Sequence, residues 1–241
     1  MDEVSISLVI VVISYLFGSI SFARIISRLV APQVDLNNTH MPNEDGSEGQ
    51  LLKTVGATTA SIRLGPRVGC TIGILDILKG VLPVLIIKLL YPEQFYFLIA
   101  SVFVVVGHNW PIYYNFRGGG GMSPTYGGFF VVDFIGTIVS ALAGMIFGFF
   151  IIRDVLIAYL SGLWFYLLWM ILFKCNWQYI VYAVVMNIIF IIALIPDVKD
   201  YVKKKKAGQV DLRASMVSFP MGRGMLKIMK FFGVEPKMKS G

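Results

Sequence analysis

Two charged residues inside an apolar run are the first candidates for chemistry. Asp76 and Lys79 stand three apart in Leu75-Asp76-Ile77-Leu78-Lys79-Gly80, which puts both on one face of a helix. Ionisable groups in such a run are costly and are kept paired, functional or both. Either the two neutralise each other or Lys79 faces a polar cavity. A second candidate is Phe116-Arg117-Gly118-Gly119-Gly120-Gly121. Its four glycines leave backbone amides unobstructed and able to curl around an anion. A helix starting just after them adds free N–H groups and a favourable dipole, and Arg117 adds a fixed charge that can fork onto phosphate. His108 could serve as a general base or be a hydrogen-bonded structural residue, since no carboxylate lies near it in sequence to orient it. Further upstream, Gly46-Ser47-Glu48-Gly49 and Val55-Gly56-Ala57-Thr58-Thr59, with Arg63 following, suit a second turn that binds oxyanions.

These residues must be held by membrane-spanning helices. The chain has 241 residues, of which 56% are hydrophobic and only 15% charged, with a mean hydropathy of +0.75. Soluble domains carry about 25% charged residues, so a polytopic membrane protein is implied and most soluble enzyme folds are excluded. Two cysteines, Cys70 and Cys175, make a disulfide framework or cysteine-rich metal site unsuitable, and two histidines, His40 and His108, exclude a multi-histidine centre. No metal and no cofactor is expected. The net charge of +7 gathers largely in the C-terminal tail, which fits anionic headgroups better than nucleic acid. The N-terminus, Met1-Asp2-Glu3, lacks a basic n-region, so the apolar run after it reads as a retained span rather than a cleaved signal.

Spans of about 20 apolar residues fall near Val4–Ile26, Val68–Leu90, Gln94–Val106, Val155–Phe173 and Trp177–Ile195, with a long apolar run at Thr125–Ile152. Cations near span ends collect on the cytoplasmic side. If Thr125–Ile152 is one pass, the basic first loop and the basic tail lie on opposite faces. Breaking it at Asp133 gives seven passes, puts 18 of the 21 cationic residues inside, and leaves the N-terminus outside. The first helix after the glycines is then short. The expected organisation is a transmembrane domain at 1–198 and a basic cytoplasmic tail at 199–241. In the tail Met221, Met225, Ile228, Met229 and Phe232 share one face of an interfacial helix.

At these residues the chain resembles the bacterial acyl-phosphate-dependent glycerol-3-phosphate acyltransferases, the PlsY family. Gly18-Ser19-Ile20-Ser21-Phe22 is similar to that family's GSIPFG, and Val55-Gly56-Ala57-Thr58 to the end of GSGNIGATN. Leu75 through Pro83 is similar to LDxxKGxxP, and Gly107-His108-Asn109-Trp110-Pro111 through Gly119 to GHxFPxFxxFKGGKG. The resemblance covers roughly residues 16–133, with the motifs in order. It implies an all-α integral membrane bundle of about seven helices, N-terminus outside, in the cell membrane, with site loops and tail cytoplasmic. It also implies transfer of an acyl group from acyl phosphate to the 1-hydroxyl of glycerol 3-phosphate, giving lysophosphatidic acid, with no cofactor and with membrane lipids around it. Residue chemistry and resemblance together make His108, Lys79 and Arg117 the expected catalytic residues. Ser47, Gly56, Thr58, Arg63, Asp76, Gly118, Gly119, Gly120 and Gly121 are the expected substrate-binding residues.

The departures are specific. Gly120 stands where the family has the lysine of GGKG, Thr59 stands for an asparagine, and the following arginine is displaced to Arg63. After the last helix the family's His-Arg-x-Asn gives way to Pro196-Asp197-Val198-Lys199-Asp200-Tyr201-Val202. These departures motivate a rival reading, a catalytically impaired homologue that binds a lipid or phosphate or partners an active enzyme. A transporter ranks behind both, because only one helix break is visible where two matched ones are wanted.

Overall fold

The computed structural model describes residues 2–42, 48–152, 154–206 and 230–231. It is helical, as expected, with one short antiparallel pair added. The helices are α1 (Glu3–Gly18), α2 (Phe22–Val30), α3 (Ala57–Leu64), α4 (Pro66–Leu90), α5 (Tyr96–Asn109), α6 (Met122–Val132), α7 (Phe134–Met145), α8 (Val155–Trp169) and α9 (Trp177–Lys206). Strands β1 (His40–Pro42) and β2 (Glu48–Leu51) pair antiparallel in the first polar stretch. The last turns of α7 and α8 widen into π geometry at Ile146–Ile152 and Met170–Lys174.

Among the described residues, five segments are long and apolar enough to cross a bilayer: Glu3–Val30, Pro66–Leu90, Tyr96–Tyr114, Phe134–Ile152 and Trp177–Ile195. Their outward faces carry exposed Ile13, Leu82, Ile86, Ile135, Leu142 and Ile188, as surfaces in contact with hydrocarbon tails should. Between helices the packing depends on small residues. At the α1–α5 crossing, a Cβ on Gly18 would lie 2.2 Å from the Val104 carbonyl oxygen, and one on Gly107 would lie 2.2 Å from that of Tyr15. Helix α4 packs on α3, α5 and α6, and α7 packs on α8. The main core includes Phe129 stacked on Tyr166, with ring centroids 3.6 Å apart, and a buried Ser101–Tyr182 hydrogen bond of 2.6 Å. A smaller core of Ala23, Leu36, Val55, Ala60 and Ile72 lies beneath the first polar stretch.

Three boundaries differ from the sequence reading. The first apolar segment breaks at Ser19–Ser21, between α1 and α2. The first loop, between the spans expected at Val4–Ile26 and Val68–Leu90, contains the strand pair and α3 rather than plain loop. The last helix does not stop at Ile195 but runs to Lys206, and the lysines of its last turns are good helix formers. The break at Asp133 falls where the charge argument places it: α6 ends at Val132, and Asp133 caps α7 by accepting from the Gly136 amide at 2.8 Å. The interfacial helix expected around Met221–Phe232 lies outside the described residues.

Candidate active site

Lys79 lies on α4, 1% exposed, and every direction of its ammonium is taken. It donates to the Ile20 carbonyl at 2.6 Å and to His108 Nδ1 at 2.9 Å, and pairs with Asp76 Oδ1 at 3.3 Å. The Ile20 contact pins the break between α1 and α2, where the chain leaves an oxygen without a helical partner. An ammonium only donates, so His108 accepts through Nδ1 and carries its proton on Nε2. Asp76 Oδ1 lies 3.6 Å from His108 Nδ1, so a carboxylate does stand beside the imidazole, contributed from another helix.

His108 Nε2 faces the glycine segment. A Cβ on Gly119 would lie 2.2 Å from that nitrogen, so only glycine fits there. The Gly119 amide donates back to the His108 carbonyl at 3.1 Å. The Val55 amide donates to the Gly118 carbonyl at 2.7 Å, and Gly56 is close enough that its Cβ would lie 3.7 Å from Gly119 Cα. The first polar loop and the glycine segment therefore form one unit over the buried Asp76–Lys79–His108 cluster. This narrows the expected anion cradle, because the Gly119 amide is already engaged. Among the described residues no hydrogen bond takes up the amides of Gly120 and Gly121. Left-handed Gly121 (φ 80°) turns the chain into α6, whose first amides extend the same set of donors.

Gly56 caps α3, and Thr59 Oγ1 reaches back to the Gly56 amide at 2.9 Å. Thr58 is half-buried on the first turn of α3. Arg63 is exposed on the last turn of α3, near enough to Asp35 for its charge to be felt there. Arg117 has an exposed side chain, while its carbonyl accepts from Arg24 Nη2 at 2.7 Å. Ser47 lies outside the described residues.

Two residues at the site escaped sequence reasoning. Arg24, on α2, also donates to Asn37 Oδ1 at 2.9 Å and lies over the Tyr114 ring at 5.0 Å. Asn109 is buried against Gly121, and neither atom of its amide has a hydrogen-bond partner. The only signal for Asn109 was its place beside His108, and Arg24 had none beyond its charge. One turn past Lys79 an apolar groove of about 370 Å³ opens between α1 and α4, running from Phe17 and Leu82 to Ile6 and Tyr91.

A family model described as "Glycerol-3-phosphate acyltransferase" matches residues 8–204. The glycerol-3-phosphate acyltransferase of Halalkalibacterium halodurans is 36% identical over 139 residues, which are 57% of this chain and 60% of that protein. That of Legionella pneumophila (strain Corby) is 35% identical over 134 residues, 55% of this chain and 44% of that protein. The matched stretch thus spans between two-fifths and three-fifths of these curated relatives. Among solved structures, the crystal structure of PlsY (YgiH), described as an integral membrane glycerol 3-phosphate acyltransferase in its glycerol 3-phosphate form, superposes with a TM-score of 0.68 at 26% identity. The superposition covers 84% of this chain and 93% of that one.

Proposed function

Because the chain belongs to the glycerol-3-phosphate acyltransferase family of integral membrane proteins, we propose that it acylates the 1-hydroxyl of glycerol 3-phosphate from acyl phosphate, releasing lysophosphatidic acid and inorganic phosphate. The acyl donor is an activated mixed anhydride. The protein must hold two phosphates, align hydroxyl with carbonyl and stabilise the charge that develops. The acceptor oxygen bonds to the acyl carbon, the bond from that carbon to the phosphate oxygen breaks, and the hydroxyl proton passes to phosphate.

The observation that carries this reading is the joining of the first polar loop to the glycine segment through Val55 and Gly118, above the buried lysine. The open amides of Gly120, Gly121 and the start of α6, with the exposed Arg117, hold the donor phosphate. Lys79, His108 and Asp76 act from below as positioning residues, fixing the α1–α2 break and the plane of Gly119. Gly56 and Thr58 line the adjoining turn, with Arg63 behind them; Ser47 belongs to the same loop in sequence. The groove between α1 and α4 takes the acyl chain. The charge bias of the loops supports a cytoplasmic face for this site and the tail, with seven passes and the N-terminus outside.

The test is purified protein with palmitoyl phosphate and radiolabelled glycerol 3-phosphate. Lysophosphatidate should form, and Arg117→Ala, changing only an exposed side chain, should reduce its formation at least about tenfold, the equivalent of one charge-assisted hydrogen bond. No product above background from the parent protein would sink the proposal.

A further inference from the structure

Helix α2 turns its large apolar side chains away from the protein. Its buried residues are the small Ala23 and Ser27. The branched Ile25 and Leu29, one turn apart, are 38% and 78% exposed. Beside this apolar edge runs a basic one, Arg24 and Arg28, also one turn apart. An apolar edge flanked by arginines is the pattern of a helix lying between headgroups and acyl chains. Length puts α2 at that level. Glu3–Val30 has 28 residues and would reach about 42 Å as one helix, against a hydrocarbon layer of about 30 Å. Helix α1 alone, with 16 residues, reaches about 24 Å. The break after it, where Lys79 holds the Ile20 carbonyl, therefore falls near the edge of the hydrocarbon, and α2 follows at headgroup level.

The charges agree with that placement. Arg28 is exposed and in no ion pair among the described residues. Asp35, which shares a cavity wall with it, is taken up by its own turn: it accepts from the Asn37 amide at 2.9 Å, from Asn37 Nδ2 at 2.7 Å and from Asn38 Nδ2 at 2.9 Å. At headgroup level the anion at hand is a lipid phosphate, onto which a guanidinium can fork. We propose that α2 is an interfacial seat for anionic phospholipid: Ile25 and Leu29 enter the acyl boundary of the leaflet on the side of the glycine segment, and Arg28 pairs with a lipid phosphate there. Arg24 faces the protein instead, with Nη1 on Asn37, Nη2 on the Arg117 carbonyl and its plane over Tyr114. Through Arg24 the seat fixes how far the glycine segment stands from the leaflet. A second copy of the chain docked on the same edge would set arginine against arginine.

The test has two arms, neither of which needs turnover, so the seat and the acyl-transfer reading fail separately. In the first, Leu29→Cys is made with Cys70→Ser and Cys175→Ser, given a nitroxide label and reconstituted in phosphatidylcholine vesicles containing phosphatidylglycerol. The label should collide more with dissolved oxygen than with a water-soluble nickel chelate. The reverse order overturns the proposal, as does spin–spin broadening that disappears on dilution with unlabelled protein, which would mean that a second copy covers the edge. Ile25→Cys serves in the same way if the Leu29 variant does not fold. In the second arm, phosphatidylglycerol is titrated into full-length protein held in mixed phosphatidylcholine–detergent micelles, and the melting temperature is followed. It should rise in the parent protein, and Arg28→Gln should need about fivefold more phosphatidylglycerol for half the rise, the worth of one basic residue at an anionic surface. Indifference of the parent to phosphatidylglycerol, or equal titrations of parent and variant, overturns the seat. So does an equal rise with inorganic phosphate, which would make the ligand a free anion rather than a lipid.

Discussion

Lys79 is the residue on which the site turns, because two of its three contacts, to Ile20 and His108, tie α4 to segments distant in sequence. A buried pair broken on one side leaves an uncompensated charge and costs about 3–5 kcal/mol, whereas replacing both members with apolar groups of similar volume costs far less. Lys79→Met alone should therefore lower stability sharply, and Lys79→Met combined with Asp76→Leu should recover much of it. Thermal unfolding of the two in detergent checks this; equal loss in both would show that the ion pair is not the organising contact. At Gly119 the constraint is steric. Gly119→Ala drives a methyl to 2.2 Å from His108 Nε2, an overpacking that costs about 1–3 kcal/mol. On the proposed placing of the phosphate donors in that segment, turnover should fall further than stability; melting temperature and lysophosphatidate formation, measured together, decide. The Asp76–Lys79 pair was legible from its i, i+3 spacing. The approach of His108 was not, because it depends on α4 and α5 crossing at that level, and two apolar helices carry no mark of where they cross.

At the scale of elements, the turn between α6 and α7 is built around one carboxylate. Asp133 caps α7 through the Gly136 amide, accepts from Trp169 Nε1 at 3.3 Å and pairs with Lys174 Nζ at 3.0 Å, while Lys88 Nζ closes the Val131 carbonyl at 2.6 Å. Asp133→Ala should cost about 0.5–2 kcal/mol for the cap alone. Lys174→Met should add little on top of it, since its partner is already gone; additive losses in a double-mutant cycle would contradict the shared site. This break was readable because a charge interrupting an apolar run has few places to go in a bilayer. The strand pair and α3 were not readable, since short polar segments carry no periodicity strong enough to distinguish them from loop. The α1–α2 break was hidden too, since Ser19–Ser21 sits inside an otherwise continuous apolar stretch and is held open by Lys79 from elsewhere.

For the whole molecule, the proposed sidedness rests on the distribution of cations, and it makes a direct prediction at the native thiols. Cys175 is exposed, just before α9, beside Lys174. A membrane-impermeant maleimide should label it in intact cells, with Cys175→Ser abolishing that signal, whereas an Arg63→Cys thiol on α3 should react only after permeabilisation. The opposite pattern would invert the topology. A further consequence follows from the length of α6. Its 11 residues reach about 16 Å, roughly half of a 30 Å hydrocarbon layer, and the lysines at its far end draw polar groups down to meet it. No residue of α6 is exposed, so its neighbours stand between it and the lipid and the bilayer has no mismatch to absorb there. Reconstituted into a graded series of phosphatidylcholines, the protein should keep a similar melting temperature across chain lengths; a marked preference for thinner bilayers would mean that lipid reaches the short helix.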